Sequence, residues 1–349
     1  MTTATETTTL EYIKTIGITN NGDNGRGFAN PYSIAVSGDG RIYVLSRCDP
    51  ARATAVRVGV QDIDENFLFE FSEGYGSGPG QLVLPVAIAF DSQERLYITD
   101  EYNHRVVIYS SEGKFLDQWG EHGSEPGKLN GPAGIAIDSN DNVYIADQHS
   151  HAISKFTSDG RFINRFGREE DVTPWHSLYM PWGLCIDADD NVLVADWRHN
   201  AVKRFSPDGR HLQTFGGLQN TPGGLENTLF NRPSGVAVDS DGYIYVTDWG
   251  NERLQVLTPN GALHATERGR ATLSQWAEDF FKSNPDEVEV RAISNLTPEL
   301  PSHLADDPYQ VSAQSEPYFW GPVAVTVDGQ DRVYVVESNR HRFQIYKRA

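Results

Sequence analysis

Short apolar runs alternate along the chain with polar, turn-forming clusters, and the alternation recurs. Residues 84–100 read LPVAIAFDSQERLYITD: a Pro, a β-type run, a polar turn, and a second run ending in Asp. Residues 131–147 (GPAGIAIDSNDNVYIAD), 180–196 (MPWGLCIDADDNVLVAD) and 232–248 (RPSGVAVDSDGYIYVTD) repeat it in register. Weaker copies stand at 30–46 (NPYSIAVSGDGRIYVLS) and 321–337 (GPVAVTVDGQDRVYVVE). Each copy goes on to a polar loop, a third run such as RVVIYS at 105–110, and a turn pair such as Glu112-Gly113, Asp159-Gly160, Asp208-Gly209 or Asn260-Gly261. A fourth run follows, such as KFLDQWG at 114–120 or RFINRFG at 161–167. Pairs of this kind supply the positive-φ backbone of tight hairpins. The pattern predicts antiparallel four-stranded meanders, not strand–helix–strand units.

The Pro residues at 31, 85, 132, 181, 233 and 322 stand 54, 47, 49, 52 and 89 apart. Four of these spacings suit a four-stranded blade, so the chain reads as one all-β, six-bladed β-propeller spanning residues 1–349. The last copy stops after its third run, FQIYKR at 343–348, while LEYIKTIG at 10–17 resembles the fourth run of the others. The N-terminal strand is therefore expected to complete blade six and close the ring, which removes an exposed strand edge. The long last spacing hides an insertion of about residues 270–317. In it ATLSQWAEDFFKSN reads as a helix with Leu273, Trp276, Ala277, Phe280 and Phe281 on one face. Asn284-Pro285 should end that helix. A second is expected from Asp286 to Ile293, with 295–316 irregular. By its place between blades five and six the insertion is expected to cap the face where the post-Asp loops open, as a lid or a docking element.

The motif of Pro, small residue, β-run, Asp-Gly-type turn, "YVAD" and "NHRV" resembles the NHL repeat. Pro85 to Tyr109 carries it most fully, with Asp100, Asn103, His104 and Arg105 in the family's order. The resemblance implies the propeller fold and, since propellers serve many roles, leaves function open. The peptidyl-hydroxyglycine amidating lyases are similar in repeat pattern. In them zinc-binding histidines directly follow the Pro of three blades. Here those positions hold Tyr32, Val86, Ala133, Trp182, Ser234 and Val323, none of them a zinc ligand. Gluconolactonase-like propellers need carboxylate and Asn ligands near the same mouth, and these too are missing. One lyase feature carries over: a Tyr two residues after the blade's Asp, matched by Tyr102.

Candidate chemistry gathers instead in the loops after the second runs. They hold Arg47 and Cys48, then Tyr102, Asn103 and His104, then His149 and His151. Trp197, Arg198 and His199 follow, then Trp249, and finally Arg340 and His341. Asp100, Asp147, Asp196 and Asp248, with His104 and His341, are expected to be scaffold. Ala152 and Ala201 replace the Arg seen at 105, 253 and 342, near Trp175, His176, Trp182 and Trp197. Losing two long side chains beside aromatics and imidazoles points to a pocket. Tyr32, Arg47, Tyr102, His149, His151, Trp182, Trp197, Arg198, His199, Trp249 and Trp320 are the expected ligand-binding residues.

Composition narrows the partners. The formal net charge is −19, from 29 Lys+Arg against 48 Asp+Glu, which argues against a nucleic-acid partner. The two cysteines suggest no disulfide framework. Residues 1–9 have neither a basic nor an apolar leader region, and no run approaches the ~18 apolar residues of a membrane helix. A cytoplasmic protein that does not engage membranes is expected. The leading reading is a propeller that binds a small molecule, peptide or protein at its rim, with no cofactor. The alternative is a lyase or hydrolase using Tyr102, His149, His151 and His199. It would act alone or with a divalent metal, zinc or calcium, and three histidines suffice to ligate one. A structural scaffold whose insertion drives oligomerisation is a third reading.

Overall fold

The computed structural model describes residues 10–19, 25–47, 55–168, 176–217 and 230–349. Six four-stranded antiparallel sheets surround a central axis. Their innermost strands are Pro31–Val36, Pro85–Phe90, Pro132–Ile137, Pro181–Ile186, Pro233–Val238 and Pro322–Val327, in blades one to six. Each touches the next, and the sixth touches the first, so the ring is closed. The strand Leu10–Gly17 is the outer strand of blade six, paired from Leu10↔Arg348 to Gly17↔Arg342.

Burial follows from the stacking of blades. The second strands Ile42–Ser46, Val143–Asp147, Val192–Asp196 and Ile244–Asp248 are buried at every position. Both of their faces meet a neighbouring blade, so the sequence runs apolar without alternating. The outer strand Phe115–Trp119 keeps exposed positions at Leu116 and Asp117. At one end of the ring, Tyr43 donates to Ser111 O of blade two at 2.9 Å, and Tyr97 to Ser158 O of blade three at 3.4 Å. These tyrosines bolt blade one to blade two and blade two to blade three through an otherwise apolar seam.

The insertion holds three helices: α1 (Gln275–Ser283), α2 (Pro285–Ile293) and α3 (Pro308–Gln314). The third overturns the expectation of irregular chain over 295–316. Its start was written in the sequence: Asp307 caps the Tyr309 and Gln310 amides, and Pro308 takes the first helical position, where a missing N–H costs nothing. The first helix is shorter than its apolar pattern suggests. Ser274 caps it, which leaves Leu273 outside and exposed, and Trp276 alone is buried. Trp276 packs on Phe28 and donates Nε1–H to Glu65 O at 2.6 Å, while Ser274 donates to Gly17 O. Thus α1 clasps the joint where blade six meets blade one, and α3 lies against the turn Trp249–Asn251 at the rim.

Candidate functional site: an aromatic cup at the channel mouth

The mouth is built on a repeated latch. The residue four places after each second-strand acid adopts positive φ: His104, His151, Asn200, Glu252 and His341. Its side chain accepts the backbone N–H just before the next blade's Pro. His104 Nδ1 takes Gly131 N, His151 Nδ1 takes Met180 N and His341 Nδ1 takes Asn30 N, all at 3.1 Å. Asn200 takes Arg232 N at 2.8 Å, and Glu252 takes Gly321 N at 2.6 Å. The acids add a second tie: Asp147, Asp196 and Asp248 accept from Asn130 N, Tyr179 N and Asn231 N. Inner strands also approach closely below the mouth. A Cβ on Gly183 would stand 2.6 Å from Ser234 O, so only Gly fits there.

Within this frame the candidate histidines take different places. His151 is the register mate of His104 and latches blade three to blade four, where burial holds its imidazole below the ordinary range. His149 is exposed and borders Gly131. His199 stands where Asn103 and Asn251 stand in their blades and, like them, contacts the blade's acid: its Nδ1 lies 2.7 Å from Asp196 Oδ2. Among the described residues no three His, Cys, Asp or Glu side chains gather as a metal site.

Part of the space left by Ala152 and Ala201 is taken by cations from other positions, Arg165 on the outer strand and Lys203 on the same strand as Ala201. In blade two Arg105 reaches Ser77 O, Gly78 O and Gln81 O. In blade three Arg165, from the outer strand, reaches the matching carbonyls of Ser124, Glu125 and Lys128. In blade four Lys203, 1 % exposed, bonds Ser177 O and pairs with Asp196 at 2.7 Å. A periodic reading sees the lost arginine. The cation restored two or more residues away carries no signal of its own.

What does converge is a cup of about 330 Å³ at the mouth. Its aromatic walls are Tyr32, Trp182, Trp197 and Trp249, with Val323 and the neutral polar side chains of Asn30, Ser234, Ser338 and Asn339. Tyr32 and Trp182 belong to blades one and four, opposite in a six-fold ring, yet their centroids are 6.4 Å apart. They meet across the channel. They line both the cup and the channel below, so they form the cup's floor. Sequence reasoning missed the amide of Asn30 and the hydroxyl of Ser338, which carry no motif.

The remaining expected residues surround the cup. Arg47 stacks 4.6 Å over Tyr32 and pairs with Glu101 at 2.8 Å. Arg198 and Arg232 both lie 5.3 Å over the Trp197 ring. Trp320 is off the cup, packed between Tyr309 of α3 and Arg340. Tyr102 is 63 % exposed and lines none of it. Cys48 and Trp175 lie outside the described residues. A separate recess between blades three and four is lined by His151, Tyr179 and His199. No described helix is long and apolar enough to cross a membrane.

The NHL repeat family matches residues 178–205, 230–257 and 319–346. A family described as a 6-bladed beta-propeller matches residues 86–170. Among curated proteins none matches the sequence. A streptogramin B lyase structure is similar at 14 % identity over 97 % of each chain, with a TM-score of 0.56. An auxiliary nutrient binding protein from Bacteroides thetaiotaomicron VPI-5482 is similar at 12 % identity over 97 % of this chain and 75 % of that one (TM-score 0.60). A catalytically inactive virginiamycin B lyase from Staphylococcus aureus, solved with quinupristin, is similar at 14 % over 94 % and 81 % (TM-score 0.53). At such identities the likeness is one of fold. This chain is a six-bladed β-propeller with four-stranded antiparallel blades, and it carries NHL repeats.

Proposed function

We propose that this propeller binds a small ligand in the aromatic cup at its channel mouth. The observation that carries the reading is the meeting of Tyr32 and Trp182 across the ring, which turns an open channel into a floored cup. The cup has the make-up of a ligand site: mostly aromatic walls, a few neutral polar groups and a volume of small-molecule size. None of its described lining residues is acidic, basic or a thiol. Screening a metabolite library by thermal shift tests the reading. Ligands that stabilise the parent protein are expected to lose their effect on the Trp182→Ala/Trp197→Ala double variant. Ligands whose shifts survive in that variant bind elsewhere and overturn it.

A second reading, acid–base chemistry of a lyase, is favoured by one observation. Asp196 Oδ2 lies 2.7 Å and Lys203 Nζ 3.1 Å from His199 Nδ1, and among the described residues Nε2 has no protein partner, so the ring is oriented with Nε2 free to exchange a proton. Incubating the protein with a streptogramin B, with and without added zinc or calcium, tests it by chromatography. Turnover lost in His199→Asn, which keeps the register residue of blades two and five, supports the reading. An inert parent protein sinks it for this substrate class.

A further inference from the structure

The cup's lip carries charge that no acid among the described residues pairs with. Arg198 and Arg232 are exposed, and both guanidinium groups lie 5.3 Å over Trp197, a wall of the cup. Neither makes an ion pair among the described residues. Their other bonds are backbone ones, Arg198 N to Tyr179 O and Arg232 N to Asn200 Oδ1. The contrast with the rest of the protein is sharp. In a chain of net charge −19, arginines near the mouth generally find an acceptor: Arg47 has Glu101, Arg253 has Asp248 and Arg342 has Glu337. Arg340, also at the rim, gives its guanidinium to the Ser312 and Ala313 carbonyls of α3. Two guanidinium groups with no ion-pair partner among the described residues, both set on one indole, are thus a local positive site in an acidic protein. Stacking on an aromatic face limits their rotamers while leaving their N–H donors free.

Beneath them the cup offers flat aromatic surface and neutral amides and hydroxyls, with no carboxylate to repel an anion and none to attract a cation. We infer that the ligand of the cup is a planar ring compound bearing a carboxylate or phosphate. Its ring lies among Tyr32, Trp182 and Trp249, and its anion is held by Arg198 and Arg232 at the blade-four lip. This inference rests on the cup reading and adds the ligand's charge and shape to it. Guanidinium groups match planar oxyanions through two parallel hydrogen bonds, so the pair selects for charge and the cup for flatness.

Three ring-matched probes separate the terms: indole-3-acetate, indole and tryptamine, which are anionic, neutral and cationic. Binding is followed by the indole N–H signals in nitrogen-15 correlation spectra, which register weak complexes. Trp182, Trp197 and Trp249 should move, while Trp119 and Trp276, which pack elsewhere, serve as controls. Indole-3-acetate is expected to bind about tenfold tighter than indole, with tryptamine weakest. The gap should narrow as salt rises. The Arg198→Gln/Arg232→Gln variant should bind indole-3-acetate and indole alike while keeping its affinity for indole. Equal binding of the three probes by the parent protein, or a preference for tryptamine, overturns the charge assignment and leaves the cup reading intact. Failure of all three to move the cup's signals overturns the planar-anion inference. The cup reading is judged separately by the library screen.

Discussion

At the scale of single residues, the latch gives a structural reason for histidine to recur at this register. A neutral imidazole presents an acceptor at Nδ1 in a positive-φ turn, and so does an amide, as Asn200 demonstrates. Blade five uses a carboxyl instead. Glu252 is 2 % exposed, and burial pushes its pKa up to about 7. The two chemistries respond to pH in opposite senses. The folded protein holds the Glu252 proton more tightly than the unfolded chain does. Stability from this group is therefore present below its ordinary pKa of 4.5 and is lost as pH rises through about 7. His104 and His151 are lowered, chiefly by burial. Their contribution is present above the ordinary value of 6.5 and is lost as pH falls through their lowered values. Glu252→Gln should stabilise the protein at about pH 8 by on the order of 2 kcal/mol, seen as a higher melting temperature, and change little near pH 4. His104→Asn with His151→Asn should flatten the acid side of the same profile. Melting curves across pH check both.

At the scale of the blade, the lesson is substitution of source. Blades two, three, four and six each tie an end to carbonyls of the preceding loop with a cation, but the cation comes from different positions. Arg105 and Arg342 come from the start of the third strand, Arg165 from the fourth and Lys203 from the middle of the third. Lys203 and Asp196 are both fully buried, so losing one partner strands the other charge. Lys203→Met should cost about 3–5 kcal/mol. Adding Ala201→Arg, the residue type at this register in blades two, five and six, should return part of the loss. Denaturant midpoints measure both. No rescue would mean that the arginine cannot adopt its usual path in blade four.

At the scale of the whole molecule, the ring has one joint that is not chain-continuous. It lies in blade six, where Leu10–Gly17 meets Arg342–Arg348. Arg270 reinforces it, donating to Leu10 O, and Trp276 fills the seam beside it. Trp276→Ala should cost about 3–5 kcal/mol, since a buried indole and its hydrogen bond to Glu65 O are lost together. A protein lacking residues 1–17 should expose the Arg342–Arg348 edge and associate. Light scattering would read this as a rise in mass, and a stable monomer of unchanged melting temperature would count against the closure.

The sequence by itself determined the blade count, the strand order, the closing strand and the placement of the insertion. All are local repeats, and periodicity and turn chemistry report local structure faithfully. It also named the four aromatics of the cup, because Tyr32, Trp182, Trp197 and Trp249 occupy register positions that a propeller turns toward one mouth. Only the tertiary structure decided how these side chains group. Tyr32 and Trp182 lie 150 residues apart in the chain and touch because the ring brings opposite blades together. His151 and His199 lie 48 residues apart in the chain and meet Tyr179 in one recess, while His149 stands apart at the surface beside Gly131. The arginines missing at Ala152 and Ala201 are replaced by Arg165 and Lys203 from neighbouring positions, and a recess lined by His151, Tyr179 and His199 remains between the two blades. Long side chains reach several ångströms from their backbone, so the occupant of a space is a property of packing that no spacing records.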